Sequence, residues 1–273
     1  MKIKPHALLF LLVGLWLLPK TGTALAADFC SELNVTGNPE YPPLLWQDRK
    51  NPARLIGAAV ELLQTAVDDQ NIKVISEFVG PWSRAQAEAR IGRIDMLTGA
   101  FITEERQTWM DYIKPPMMDM PNVIFVKHNK AFDLNSWDDL KGRVGDTLIN
   151  NSFGQEFDAY AKKNLIIEEV RSIEFAFERL MLGRTDYVIY ELYQGIAIAE
   201  AMGSSGDIVA LEKPLSSEGL YFTLSKASKC NNARFKAYLD KRIAELVESG
   251  LPQQLVTKYT QIWKEQSKLP RIE

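Results

Sequence analysis

Two histidines and two cysteines in 273 residues exclude a good deal of chemistry before any motif is considered. A zinc site takes three or four protein ligands, usually histidine and cysteine, so no metal centre of that kind can be assembled. His6 falls in the N-terminal segment described below, and a serine or cysteine triad would then depend on His128 alone. Long hydrophobic runs are also missing. The best candidate, Ala7 to Leu18, is closed by Pro19 and Lys20, short of the ~20 apolar residues that span a membrane. Positive charge is not in excess either: the formal net charge is −3, which makes nucleic acid an unsuitable partner. No metal, cofactor or catalytic group is expected.

What is present begins with a leader. Lys2 and Lys4 precede the apolar stretch, and Ala24-Leu25-Ala26 precede Ala27: a basic region, a short apolar core and small residues at the cut define a secretory signal peptide over 1–26, cleaved after Ala26. Ala27-Asp28-Phe29 before Cys30 lacks the small residues of a lipidation site. Export places the mature chain in an oxidising compartment, where Cys30 and Cys230 are expected to form a disulfide. That bond would bring the two ends of the chain together in one lobe. Two separate buried thiols are the alternative.

Along the chain, apolar strands alternate with amphipathic helices, the pattern of an α/β fold with mainly parallel sheets. Leu33 to Gly37 reads as a first strand, Ile56 to Asp68 as a helix by its apolar period, Val74 to Val79 as a strand and Ser83 to Ile91 as a helix. Ile94 to Thr98 is a buried strand that ends at Gly99, and Thr103 is a good N-cap for a helix that starts with Glu104 and Glu105. Arg106 then falls in the first helical turn. A cation there opposes the helix dipole, which points to an anion held nearby, or to pairing with Glu104, Glu105 or a distant carboxylate.

Pro115, Pro116 and Pro121 suit a segment that crosses between lobes, with Val123 to Val126 as the first crossing strand. Ser136 to Gly142 is a short capped helix, and Asn150 to Gln155 opens another. The run Gly183-Arg184-Thr185-Asp186 repeats Gly92-Arg93-Ile94-Asp95: helix, glycine turn, then a strand carrying an aspartate. Glu191 ends the second of these strands. Burying it unpaired is costly, so a ligand cation or a neighbouring lysine or arginine should meet it. Leu220 to Leu224 returns the chain to its first lobe, Ala233 to Glu248 is a helix stopped by Gly250 and Pro252, and Leu255 to Trp263 is the last helix.

The segment Gly99-x-x-x-Thr103-x-Glu105-Arg106, after a strand carrying Ile94-Asp95, resembles the signature of bacterial extracellular solute-binding proteins of family 3, the periplasmic receptors of polar amino acid ABC importers. The resemblance implies a type II two-lobed fold, each lobe a mainly parallel sheet flanked by helices, with two hinge crossings. Residues 27–122 and 219–273 would form lobe one and residues 123–218 lobe two. It implies that Arg106 grips a ligand α-carboxylate beside Gly99, and that Glu191, five residues after Asp186, binds the α-ammonium. Tyr41, in Tyr41-Pro42-Pro43, would stack on the ligand, unless the segment is a structural turn whose tyrosine merely covers the lobe edge. Trp82 would form the opposite wall or belong to the core. Ser152 or the Gly154-Gln155 pair would receive the carboxylate from lobe two, unless Ser152 is a simple helix cap.

Two departures from the pattern stand out. Phe101 replaces the threonine or serine usual two residues after the glycine, removing a hydrogen-bond donor from the carboxylate site. Gly57-Ala58-Ala59-Val60-Glu61-Leu62 keeps the second acid of its motif and loses the first. The expectation is a monomeric periplasmic receptor, not an enzyme, that closes on a small polar, amino acid-like ligand and delivers it to an inner-membrane ABC permease. Two alternatives share the fold: a periplasmic dehydratase using Glu191 or Glu61 as acid and base, and an orphan receptor that passes its closed state to a sensor partner.

Overall fold

The structure is a computed structural model that describes Met1 and residues 30–269; the signal peptide and its cleavage point lie outside that range. The described chain opens with β1 (Glu32–Thr36), followed by a small flap of β2 (Glu40–Tyr41), β3 (Leu45–Gln47) and β4 (Leu55–Ile56). Then come α1 (Ala58–Val67), β5 (Lys73–Ser76), α2 (Trp82–Arg90), β6 (Met96–Ala100), the single turn α3 (Glu104–Gln107) and β7 (Met110–Tyr112). The middle of the chain holds β8 (Met118–Lys127), β9 (Val144–Leu148), α4 (Gln155–Asn164), β10 (Ile166–Val170), α5 (Ile173–Met181), β11 (Tyr187–Glu191), α6 (Leu192–Ala201) and β12 (Ile208–Ala210). It ends with β13 (Ser216–Ser225), α7 (Ala233–Glu248) and α8 (Leu251–Gln266).

The main sheet runs β10-β9-β11-β8-β13-β6-β1-β5, with β12 added beside β8 and β7 beside β13. Its outer sets, β5-β1-β6 and β10-β9-β11, are parallel. Between them, β8 and β13 run antiparallel to their neighbours and to each other. These are the crossings: the first half of β13 pairs with β8, and its second half pairs with β6 and β7. β8 runs against β11, β12 and β13, and β13 runs against β8, β6 and β7. The parallel sets that βαβ units build therefore meet an antiparallel seam.

The repeated aspartates explain why the two halves look alike. Asn34 donates its N–H to Asp95 Oδ2 at 2.8 Å while the Asp95 N–H donates to the Asn34 carbonyl at 2.8 Å. Val144 and Asp186 make the same exchange, at 2.8 Å in both directions. Each aspartate thus locks a strand to its parallel neighbour just where pairing begins, once in each half. A buried or partly buried carboxylate is tolerated there because backbone donors satisfy it.

Several element ends differ from the sequence pattern for local reasons. The α1 helix begins at Ala58, because Leu55 and Ile56 pair with Gln47 and Trp46 in the flap. The β8 strand starts at Met118 and contains Pro121, opposite Ser217 of β13; pairing with β11 begins only at Asn122, so the missing proline N–H breaks no bond on that side. Pro252 ends nothing. The α8 helix starts at Leu251 with the proline in its first turn, where its absent N–H would have had no helical partner.

Cys30 and Cys230 are joined by a disulfide with their Cα atoms 5.4 Å apart, closing a loop of 200 residues. The bond ties the start of β1 to the segment before α7. Because the loop encloses most of the described chain, its entropic contribution is about 5 kcal/mol by the chain-entropy model. Replacing both cysteines by serine should lower the unfolding free energy by at least ~2 kcal/mol in urea titration of oxidised protein; superimposable curves would contradict this role.

Candidate functional site

Arg106 is brought into the interior by the end of β6 and the turn after it. Thr103 caps α3, its hydroxyl oxygen accepting the Arg106 N–H at 3.1 Å, and the arginine in that first turn is only 4 % exposed. Burial pulls its guanidinium below the usual arginine range. Nε donates to Gln86 Oε1 at 3.2 Å, Nη1 to the Phe101 carbonyl at 3.2 Å and Nη2 to the Asn150 carbonyl at 3.0 Å. The Trp82 ring lies against it, its centroid 5.4 Å from the guanidinium carbon. A guanidinium has five N–H groups, so one on each terminal nitrogen is left over. Among the described residues no carboxylate pairs with it; Glu105, the near candidate, is engaged by Arg90 and the Trp109 indole.

Glu191 enters from the other half, at the end of β11, every residue of which is buried. It is 1 % exposed. One carboxylate oxygen meets Asn151 Nδ2 at 3.5 Å, and the other, Oε2, has no hydrogen-bond partner. Burial pushes its carboxyl up to about 7, only partly offset by nearby donors and by the Arg106 charge. Its opposite number is a tyrosine: the buried Tyr41 hydroxyl makes no close hydrogen bond but lies near enough to the Glu191 carboxylate to interact with it, and burial, then the Glu191 charge and that contact, raise it well above the ordinary value. The Tyr41 ring is held edge-on to Tyr190, 6.2 Å between centroids.

Tyr41, Trp82, Phe101, Arg106, Asn151 and Glu191 line one cavity of about 20 Å³, and Gly99 forms part of its wall. Gly99 has φ +150°, a conformation that side chains rarely adopt. The Trp82 indole N–H, like Tyr41 Oη and Glu191 Oε2, is buried with no partner. Unsatisfied buried polar groups are scarce in folded proteins. Here the three residues that carry them, together with Arg106 and its spare N–H groups, line a space that holds about one water molecule.

Ser152 is not brought to this cavity. It lines an adjoining cleft of about 530 Å³ that shares Arg106 and Asn151 with it, and its hydroxyl is bonded to Asp158. It does not cap α4, whose N-cap is Gly154 with no side-chain bond. Phe101 contributes both a buried ring and a carbonyl that accepts from Arg106 and from Tyr112 Oη, the latter at 2.8 Å. Glu61 lies elsewhere: Lys258 and Tyr259 bind its carboxylate at 2.5 and 2.8 Å. Asn38, Thr98 and Asn151 are polar lining residues that the motif left unmarked. Asn38 carried a weak signal, a polar residue between Gly37 and Pro39. Gln86 carried another, as an amide on the apolar face of α2 one turn after Trp82. Among the described residues no group of three histidine, cysteine, aspartate or glutamate side chains is placed to hold a metal, and no helix is long and apolar enough to cross a membrane.

Two α/β halves joined by two crossing strands, each supplying one buried charge of opposite sign to a common cavity, define a two-lobed solute-binding fold. The chain belongs to the bacterial extracellular solute-binding proteins, family 3, whose model matches residues 33–262. Solved structures share the fold. A mutant of ArgBP from T. maritima is 20% identical, with a TM-score of 0.68 over 85% of this chain and 96% of that one. An amino acid ABC transporter substrate-binding protein, AbpA from Streptococcus pneumoniae, bound to L-arginine, is 21% identical, with a TM-score of 0.67 over 85% and 96%. A histidine kinase sensor domain with similarity to periplasmic binding proteins is 20% identical, with a TM-score of 0.70 over 85% and 97%. No curated protein matches the sequence.

The raised carboxyl of Glu191 makes stability depend on pH. Its native pKa of about 7 stands above the 4.5 of a free glutamate, so the folded state holds the proton more tightly. The stabilisation from that proton is complete below about pH 4.5 and is lost as the pH rises through 7, a difference of order 3 kcal/mol. Glu191→Gln should therefore be more stable than the parent at pH 8 and equal to it near pH 4.5, as read by urea unfolding at the two pH values. Parallel pH profiles for the two proteins would contradict the assignment.

Proposed function

We propose that the chain is a periplasmic receptor for an amino acid-like zwitterion, which it carries to an inner-membrane ABC permease. The observation that carries the ligand class is the pair of incompletely satisfied charges: Arg106 with N–H groups to spare from one half, and Glu191 Oε2 with no partner from the other. A guest with a carboxylate and an ammonium group answers both. Among the solved structures of the same fold, an ancestral arginine-binding protein is bound to arginine in one structure and to glutamine in another. Both ligands carry that pair of groups.

In this reading residues 27–122 and 219–273 form one lobe and residues 123–218 the other, with β8 and β13 as the hinge. The guest binds at Tyr41, Trp82, Gly99, Phe101, Arg106 and Glu191, and Ser152 lies at the mouth of the gap. Because the two charges belong to different lobes, a zwitterion stabilises the closed state over the open one, the differential affinity that a switch requires. The cavity of about 20 Å³ is too small for a whole amino acid, so the lobes must part to admit it and close less tightly around it. Phe101 supplies bulk where a hydroxyl is usual, which selects the pose of the guest. The leader is removed after Ala26, the mature protein is a monomer, and no step of catalysis is involved.

Isothermal titration of mature protein with polar L-amino acids tests the proposal. One or more should bind, and Arg106→Ala should weaken that binding at least ~100-fold, the loss of two charge-assisted hydrogen bonds. No binding by any of them, or unchanged affinity in the variant, would contradict it.

A further inference from the structure

Among the described residues, Gln86 is the one side chain that hydrogen-bonds to Arg106 and to the opposite half at once. It lies on α2, 8 % exposed, one turn after Trp82. Its Oε1 accepts the Arg106 Nε–H at 3.2 Å, and its Nε2 donates to the Asn150 carbonyl at 3.2 Å. The same carbonyl accepts from Arg106 Nη2 at 3.0 Å. The amide can take only this orientation: turned over, it would set an N–H against the Nε–H of the arginine and a carbonyl against the Asn150 carbonyl. Asn150 follows β9 with φ 60°, the left-handed conformation that asparagine tolerates better than most residues. The next residue, Asn151, reaches Glu191 Oε1 at 3.5 Å. One turn of the far half thus touches both charged groups, its carbonyl on the guanidinium and its side chain on the carboxylate.

We propose that Gln86 is a positioning residue that couples the setting of the Arg106 guanidinium to closure of the gap. With the halves together, Arg106, Gln86 and the Asn150 carbonyl form a closed triangle of hydrogen bonds. Trp82 holds one face of the guanidinium while Gln86 fixes its edge. When the halves part, the Asn150 carbonyl leaves. Gln86 Nε2 and one Arg106 N–H then lose their acceptor together, and the guanidinium is free to take an incoming anion. On closing, the carbonyl returns and leaves one N–H on each terminal nitrogen for the guest. The triangle also holds the halves together when no guest is present. The inference rests on reading the gap as the ligand site, yet its test needs no ligand.

Double electron–electron resonance on mature protein, with nitroxides at Gln107→Cys and Glu156→Cys and the native disulfide intact, reads the separation of the halves; both positions are exposed. Without ligand, the parent should show a short-distance population. Gln86→Met removes both bonds of the amide. Gln86→Glu keeps the acceptor for Nε and turns the donor that faces Asn150 into a repelling oxygen. Each should lower the ratio of short to long distances about fivefold, the equivalent of one ordinary hydrogen bond. A role confined to stabilising α2 would lower the melting temperature of both variants and leave the distances unmoved. That result, or a parent with no short-distance population, would overturn the proposal. Failure of every amino acid to bind would count against the receptor's ligand class and leave these distances to be read on their own.

Discussion

Arg106 and Glu191 are both taken out of water, from opposite halves of the molecule, without forming an ion pair with each other or with any other described residue. Moving such groups into the interior costs several kcal/mol each even after relaxation, and partial partners return only some of it. The guanidinium is the better supported of the two, with a carbonyl of its own turn, an amide and the carbonyl of Asn150 around it. The carboxylate has one long contact and responds as a buried acid does, by holding its proton to about pH 7. A fold that keeps two such groups facing one space is stable only because the rest of the chain is satisfied. The doubled aspartate exchange between parallel strands, the disulfide and the apolar faces of α1, α5 and α7 bear that burden.

The arrangement turns a cost into a response. In the structure three residues that line the cavity carry a buried polar atom with no close hydrogen bond, and the Asn150 carbonyl occupies part of the arginine. In the proposed reading, a guest that supplies an anion and a cation would remove those defects together, and would do so only when both halves reach it. Closure would then be favoured by the guest's chemistry rather than by the area it buries. Phe101 and Trp82 keep the chamber small and enclosed, which strengthens each polar contact made inside it.

Much of this was legible in the residues. Thr103 with two acids behind it marked a helix start, and an arginine in that first turn stood out because the helix dipole disfavours it. The repeat of Gly-Arg-x-Asp showed two like halves, and Glu191 stood out as an acid closing an apolar strand. Less legible were contacts that no local pattern encodes. Ser152, read as a ligand contact or a helix cap, is bonded to Asp158, one turn into α4, a partner that only the folded loop brings near. The Asn150 carbonyl is a backbone atom and has no sequence signature. Gln86 had one, an amide on a helix face of tryptophan and alanines, but its partners come from α3 and from the turn after β9. The antiparallel seam of β8 and β13 was hidden for a similar reason, since the direction of a crossing strand depends on what it joins.

The most direct measurement is a crystal structure of the mature protein with the tightest-binding polar amino acid. The account predicts the guest between the halves, with its carboxylate on the spare N–H groups of Arg106, its ammonium on Glu191 Oε2, and Tyr41 and Trp82 against its sides. A guest lodged elsewhere, with Arg106 and Glu191 still facing an empty cavity, would contradict it.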